Sequence, residues 1–330
     1  MPSAIKFKTE SMATKATGVL VSAPLNVNDL LHPLDLAARQ QLEKVPFLAT
    51  AVKKYNELVA DRRQRSLLLS SAVRLGPRQL PDIYKLLPPV CAAFGMDEPE
   101  LYLMAGSTAN AETLGHARPA IVIYSQLLEQ LEVEQVQAVI AHECGHILAD
   151  HVLYRQMALA LRGGANSLGA GLGLMAKPAQ LALENALLNW YQKSELTADR
   201  AAVAFMGGPQ ELQLALFHLL GVPKWMPGKI SYAEFAAQAD EFDAMTAASK
   251  WDLRQARSVE QGMTHPMPAL RLREIQTWSE SETFRRILKI SQRENQGQRS
   301  CAGCGAMLTP DWRFCHRCGL PVAGDAGGAA

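Results

Sequence analysis

Apolar residues recur along most of the chain at the three- and four-residue spacing that is typical of amphipathic helices. This spacing predicts helices from residue 28 to about 65, from about 79 to 94, and over most of 126–290. Short apolar runs, bounded by turn residues, predict strands at 72–75, 101–104 and 120–124. The pattern therefore predicts an α+β fold, mainly α, with a small β-sheet.

Composition changes near both ends of the 330-residue chain and predicts its domain boundaries. The predicted parts are an irregular N-terminal arm (1–27), a main domain (28–290), a polar linker (291–300), a small cysteine-rich domain (301–322) and a disordered tail (323–330).

The charged residues nearly balance, with Lys+Arg 33 against Asp+Glu 32 and a formal net charge of +1. Nucleic-acid binding driven by net charge alone is excluded, and nucleic acid is not the partner we expect, although a local basic patch stays open. Four of the six cysteines lie within 301–318, a spacing typical of a metal site in a reducing compartment. We expect a cytoplasmic protein.

The segment 157–175 is the longest weakly polar stretch of the chain. It is shorter than the roughly 20 apolar residues of a membrane-spanning helix and is interrupted by five glycines and Arg162. We expect no integral membrane insertion and interpret the segment as a buried or partly mobile helix. Peripheral membrane contact is the alternative.

The pattern His142-Glu143-Cys144-Gly145-His146 is the strongest chemical signal in the sequence. Residues four apart share one face of a helix, so both imidazoles can bind one Zn²⁺. Glu143 would then lie beside the metal, where it can act as a general base toward water.

A catalytic zinc site normally has three protein ligands and an open position. Glu195 and Asp199 lie on one helical face downstream; one of them can be the third ligand, and the other can accept the outer N–H of a ligand histidine. Asp150 and His151 are the alternative ligands, although continuing the helix would carry them away from the metal.

Two Cys-x-x-Cys-Gly segments near the C-terminus predict a second, structural zinc site. Its four predicted ligands are Cys301, Cys304, Cys315 and Cys318, which together would form a closed tetrahedral zinc ribbon. So short a segment needs the metal for its folding free energy. A protein partner is the expected ligand of the ribbon, with nucleic acid as the alternative.

The sequence resembles the HtpX-like and CAAX-prenyl-protease-like zinc peptidases, metallopeptidase family forty-eight, which are gluzincins. The segments that carry the resemblance are 101–104, 109–111, 120–123 and 127–131, the motif 142–146, Glu195 to Asp199, and Thr264-His265-Pro266 with Arg271. The resemblance covers roughly 70–275. It implies a gluzincin-type domain with the β-sheet beside the motif helix, and Glu195 and Asp199 as ligand and supporting residue. The paired transmembrane helices of these families are not evident in this sequence.

The predicted function is a zinc-dependent metalloendopeptidase that hydrolyses protein or peptide substrates with Glu143 as general base. The resemblance implies that substrate adds beside the 101–124 segment, a predicted hairpin, near Asn110. His265 has three readings: an oxyanion donor, a movable metal ligand, or a turn residue. Two alternatives stay open: an inactive binding module that recruits partners through the ribbon, and a non-peptidase zinc hydrolase.

Overall fold

The computed structural model describes residues 24–46, 48–155, 177–226, 230–249, 267–296, 299–300 and 307–308. Its helices are α1 (Val27–Leu30), α2 (Pro33–Glu43), α3 (Leu48–Tyr55), α4 (Asp61–Ser71), α5 (Pro81–Tyr84), α6 (Leu87–Phe94), α7 (Ser125–Gln130), α8 (Val133–Leu148), α9 (Lys177–Met206), α10 (Gln210–Leu219), α11 (Tyr232–Ala248), α12 (Pro268–Ser279) and α13 (Glu282–Gln296). A π-helical turn, Asn56–Ala60, joins α3 to α4. Its strands are β1 (Ala72–Arg74), β2 (Glu100–Met104), β3 (Ala111–Leu114), β4 (Ala120–Tyr124), β5 (Arg299–Ser300) and β6 (Met307–Leu308).

The prediction of a mainly helical α+β chain with a small sheet is confirmed. Four strands form one mixed sheet in the order β1-β2-β4-β3, and β5 pairs with β6 in a separate two-stranded sheet. None of the helices in the described parts of the chain is both long and apolar enough to cross a membrane.

The predicted hairpin over 101–124 is wrong. β2 and β4 are parallel neighbours, with Leu101 opposite Ile121, and the chain between them forms β3, which pairs antiparallel with β4. β3 was not predicted, because its four residues are too few to show an alternation of apolar and polar positions. β3, and not β2, is the outer strand beside α8.

Two further predicted boundaries differ from the structure. Leu25, in the predicted arm, is buried and donates its N–H to the carbonyl of Ala93 at 2.9 Å. Helix α13 continues to Gln296, into the predicted linker, because Arg, Glu and Gln are good helix formers and the first glycine comes at position 297. The four ribbon cysteines, the tail and the segment 157–175 lie outside the described residues.

The main core positions α8. Ile140 on α8 packs in one buried cluster with Ile121 and Ile123 of the sheet and Phe205 of α9. A second buried cluster, which includes Val52 and Trp190, joins α2 and α3 to the first half of α9. Helices α8 and α9 are therefore held between the sheet on one side and the N-terminal helices on the other.

Candidate metal centre

Two helices bring three candidate metal ligands together. α8 carries His142 and His146, and α9 carries Glu195; all three side chains are buried. The two Nε2 atoms are 3.2 Å apart, and the Glu195 oxygens lie 3.4 Å from Nε2 of His142 and 3.2 Å from Nε2 of His146. Among the described residues, these three form the single group whose donor atoms are close enough to share one cation.

This triangle fits a zinc ion. Zinc binds imidazole nitrogen and carboxylate oxygen at about 2.0–2.2 Å in tetrahedral geometry, so ligand atoms should be about 3.3–3.5 Å apart. The observed separations of 3.2–3.4 Å match that edge. A zinc ion held by these three side chains would keep one further coordination position for water or substrate.

Gly145 allows the two helices to approach closely enough for this geometry. A Cβ atom at position 145 would lie 2.8 Å from the Cβ of Ala201 and 3.1 Å from the Cα of Ala198. The second of these contacts is to backbone, which cannot rotate away. The glycine inside the motif therefore serves helix packing.

Asp199 and Arg271 support His142 from behind. Oδ1 of Asp199 lies 2.9 Å from Nδ1 of His142, so the outer nitrogen of this histidine faces a carboxylate. Arg271 donates two hydrogen bonds to Asp199, at 2.8 and 2.6 Å, and its Nη1 lies 3.6 Å from Glu195. Burial alone would raise the pKa of Asp199, but Arg271 and His142 outweigh it and keep the pKa below its usual value.

The two histidines have opposite pKa shifts. Burial would lower the pKa of His142, but Asp199 and Glu195 stabilise its charged form and raise the pKa to about 9. Burial dominates at His146 and lowers its pKa to about 4, although Glu195 opposes the shift. The neighbouring carboxylates therefore stabilise a proton on His142, whereas burial disfavours a proton on His146.

Glu143 is held by the edge strand. The hydroxyl of Thr113, on β3, donates to Oε2 of Glu143 at 2.7 Å. One carboxylate oxygen is thereby fixed beside β3, and the same hydroxyl also lies 3.1 Å from the backbone carbonyl oxygen of Glu143. Arg155 also binds β3, donating to the carbonyl of Thr113 at 2.7 Å.

A cavity of about 310 Å³ opens onto the centre. His142, Glu143 and Glu195 line it together with Asn110, the residue predicted to contact substrate. The rest of the wall is mainly apolar and comes largely from α10, through Leu212, Ala215, Leu216 and Leu219, with Leu220 just beyond it.

The expectation for the alternative ligands Asp150 and His151 needs a correction. Helix α8 ends at Leu148, and Asp150 adopts the left-handed conformation (φ 58°), so the chain reverses there. His151 is consequently not carried away: its Nδ1 lies 2.9 Å from Nδ1 of His146. It faces the outer nitrogen of the ligand and is not itself in the metal-binding triangle.

Sequence reasoning missed the roles of Thr113 and Arg271. A single threonine in an unrecognised strand carries no signal, whereas Arg271 lies in a segment that carried the family resemblance and could have been paired with Asp199. His265 lies outside the described residues.

The chain is similar to known metallopeptidases and proteases. The model of "Peptidase family M48" matches residues 77–279. The chain is 30% identical over 300 residues to the plastoglobule-localized metallopeptidase 48 of Arabidopsis thaliana, covering 89% of this chain and 85% of that protein. It is 23% identical over 189 residues to the protease HtpX homolog of a Nostoc species, covering 49% of this chain and 65% of that protein. A solved structure, Ste24p of S. mikatae, matches with a TM-score of 0.36 and 16% identity over 73% of this chain and 65% of that one.

We predict that Arg271→Gln lowers the free energy of unfolding by about 3–5 kcal/mol, because two buried carboxylates lose their shared cation. Urea denaturation at neutral pH measures the change. Arg273→Gln is the matched control, two residues along α12, where the ion pairs with Asp240 and Asp243 are largely exposed and contribute about 1 kcal/mol or less. Equal losses of unfolding free energy in Arg271→Gln and Arg273→Gln would contradict a stabilising role of Arg271 beside the two buried carboxylates.

Proposed function

The chain belongs to peptidase family M48, and we propose that it is a zinc-dependent endopeptidase that hydrolyses peptide bonds in proteins. The observation that carries the proposal is the convergence of His142, His146 and Glu195 on one triangle, with Glu143 on the wall of the same cavity. Membership in a peptidase family supports a metal-dependent protease; the endopeptidase activity and the residue roles are our proposal.

The proposed mechanism assigns a separate task to each residue. A zinc ion held by His142, His146 and Glu195 would supply Lewis acidity, which lowers the pKa of water to about 7 and polarises the scissile carbonyl. Glu143 accepts a proton from the attacking water at the carboxylate oxygen that Thr113 leaves unbound. It then delivers that proton to the departing amine nitrogen. Asp199 and Arg271 hold His142 in the orientation and tautomer that ligation needs.

The edge strand β3 supports an extended peptide as substrate. The carbonyl of Asn110 accepts from the N–H of Tyr124 and so faces β4, whereas the carbonyl of Thr113 accepts from Arg155 on the other side. By the two-residue alternation of a strand, the N–H and C=O of Ala111 face away from β4, toward the outer edge. A substrate strand can pair with these groups and pass Glu143 in doing so.

The apolar wall of the cavity supports a preference for an apolar side chain beside the scissile bond. Burying such a side chain against leucines stabilises the complex, whereas an acidic side chain placed against these leucines would lose its hydration.

The segment 301–322 is proposed, as before, to be a zinc ribbon that binds a protein partner. Cytoplasmic location likewise remains a prediction, with peripheral membrane contact as the alternative. The Arabidopsis relative is named as plastoglobule-localized and chloroplastic.

We expect Glu143→Gln to retain zinc and to lower the rate of peptide cleavage by at least about 100-fold, because the amide cannot accept the water's proton. Zinc content and cleavage of a peptide library, with and without a chelator, are the measurements. Glu134→Gln, on the same helix, is the control and should cleave normally.

Cleavage by Glu143→Gln at the wild-type rate would exclude the mechanism, and a wild-type protein that binds zinc but cleaves nothing would favour the inactive binding module. Hydrolysis of small esters or amides but not of extended peptides would favour a non-peptidase hydrolase.

We predict that Leu220→Lys raises KM by about tenfold for peptides with a leucine or phenylalanine at the preferred position, because it places a charge on the apolar wall. Leu220 is 46% exposed, so the substitution should not disturb the core. Leu181→Lys is the control, because Leu181 is 58% exposed and lies outside the cavity lining. An unchanged KM for Leu220→Lys would place the substrate side chain elsewhere.

We predict two zinc ions per chain by metal analysis of the purified protein. Replacing Cys301 and Cys304 together by serine should lower the content to one, because the ribbon needs four thiolates. Peptide cleavage should persist in this variant if the two sites are independent. A content that stays at two would disprove the second site.

A further inference from the structure

A chain of buried polar side chains leads from His146 to the N-terminal helix α2. Nδ1 of His146 lies 2.9 Å from Nδ1 of His151, and Nε2 of His151 lies 3.0 Å from Oδ2 of Asp35. Thr197, on α9, donates its hydroxyl to the same oxygen at 2.6 Å. His151, Asp35 and Thr197 are each 1% exposed. Asp35 lies before residue 77, where the match to the peptidase family begins.

The C-terminus of helix α8 places His151 beside His146, which is the first contact in this series of polar side chains. The N–H of His151 donates to the carbonyl of His146 at 2.9 Å, and the N–H of Asp150 donates to the carbonyl of Ile147 at 3.0 Å. With Asp150 in the left-handed conformation, this is the Schellman arrangement of a helix C-terminus. The reversal places the ring of His151 against the ring of His146, with centroids 5.1 Å apart, and Trp190 covers its other side.

Only one arrangement of protons satisfies these contacts while His146 binds a metal. Ligation uses the lone pair of Nε2, so Nδ1 of His146 carries a proton and donates it to Nδ1 of His151. His151 is then protonated at Nε2 and donates to Asp35. Both hydrogen bonds are donated in the direction from His146 toward Asp35. The negative charge of Asp35 therefore acts on the metal ligand His146 through His151.

The burial of Asp35 costs folding free energy, which is not expected of a residue that serves only the fold. Its Oδ1 is buried and has no hydrogen-bond partner among the described residues. Burial raises the pKa of Asp35, but His151 and Thr197 outweigh burial, so the group stays ionised. A buried carboxylate with one unsatisfied oxygen destabilises a fold relative to an apolar residue of the same size.

We propose that Asp35 is a positioning residue of the metal centre, which acts through His151 to fix the tautomer and orientation of His146. The inference rests on the proposed function insofar as His146 must be a metal ligand. It extends the metal-binding unit to helix α2, beyond the segment that matches the peptidase family.

The test compares the zinc dissociation constants of full-length wild type, Asp35→Asn and Asp35→Ala by chelator competition. Loss of a partner behind a metal-ligating histidine typically costs 10–100-fold in metal affinity. We expect that loss for Asp35→Ala. A smaller loss is expected for Asp35→Asn, whose amide oxygen can still accept from His151 and Thr197 but carries no charge. We expect kcat to decrease from wild type to Asp35→Asn to Asp35→Ala, in the same order as the zinc affinity. KM should stay the same, because no contact with substrate changes.

Glu274→Gln is the control for the docking of α2. His32 caps α2 by accepting from the N–H of Leu34, and its other nitrogen lies 3.1 Å from Glu274. The control thus removes the charge from a histidine–carboxylate contact at the start of the same helix. His32 reaches the polar network only through its backbone N–H, which donates to Thr197 at 2.9 Å and is unchanged by the substitution. Its zinc dissociation constant should equal that of wild type.

A double variant separates positioning from general stability. If Asp35 acts through His151, then Asp35→Asn changes the zinc dissociation constant in the wild-type background and not in a His151→Phe background. A folded Asp35→Asn that binds zinc as tightly as wild type would overturn the inference, even if Asp35→Ala failed to fold. So would a loss of affinity that Glu274→Gln shares. A wild-type protein that binds no zinc at this centre would instead overturn the proposed function.

Discussion

The structure depends on keeping the side-chain atoms of three candidate metal ligands, from two helices, within about 3.4 Å of one another in a buried site. His142 and His146 share one face of α8, so their separation follows from helix geometry. The position of Glu195 does not, because it requires α9 to pack almost backbone to backbone against α8. The missing side chain of Gly145 and the small side chains of Ala198 and Ala201 make that approach possible.

Burying these polar groups creates a second requirement, since each must have a partner in a region of low dielectric constant. The outer nitrogen of His142 faces Asp199, which Arg271 neutralises from α12. The outer nitrogen of His146 faces His151. Elements far apart in sequence therefore meet at one centre, and the surrounding core clusters serve to hold these helices in place.

Much of the fold and of the candidate site could be predicted, because the signals are local. The spacing of the motif at 142–146 alone places two candidate ligands and a candidate base on one helix. The four-residue spacing of Glu195 and Asp199 likewise places both carboxylates on one face of a second helix. The parallel pairing of β2 with β4 and the edge strand β3 could not be predicted in this way. Strand partners are chosen by long-range packing, and four residues carry too short a pattern to reveal a strand.

Local sequence thus determined the helical character of the chain, the ligand types and the spacing within each helix, since these follow from neighbours within a few residues. Tertiary structure alone decided which distant groups complete the centre: Thr113 against Glu143, Arg271 against Asp199, and His151 against His146. The last case shows the reason. A straight helix would have carried His151 away, but a reversal at Asp150 returned it, and the buried carboxylate that it meets comes from a helix more than a hundred residues earlier.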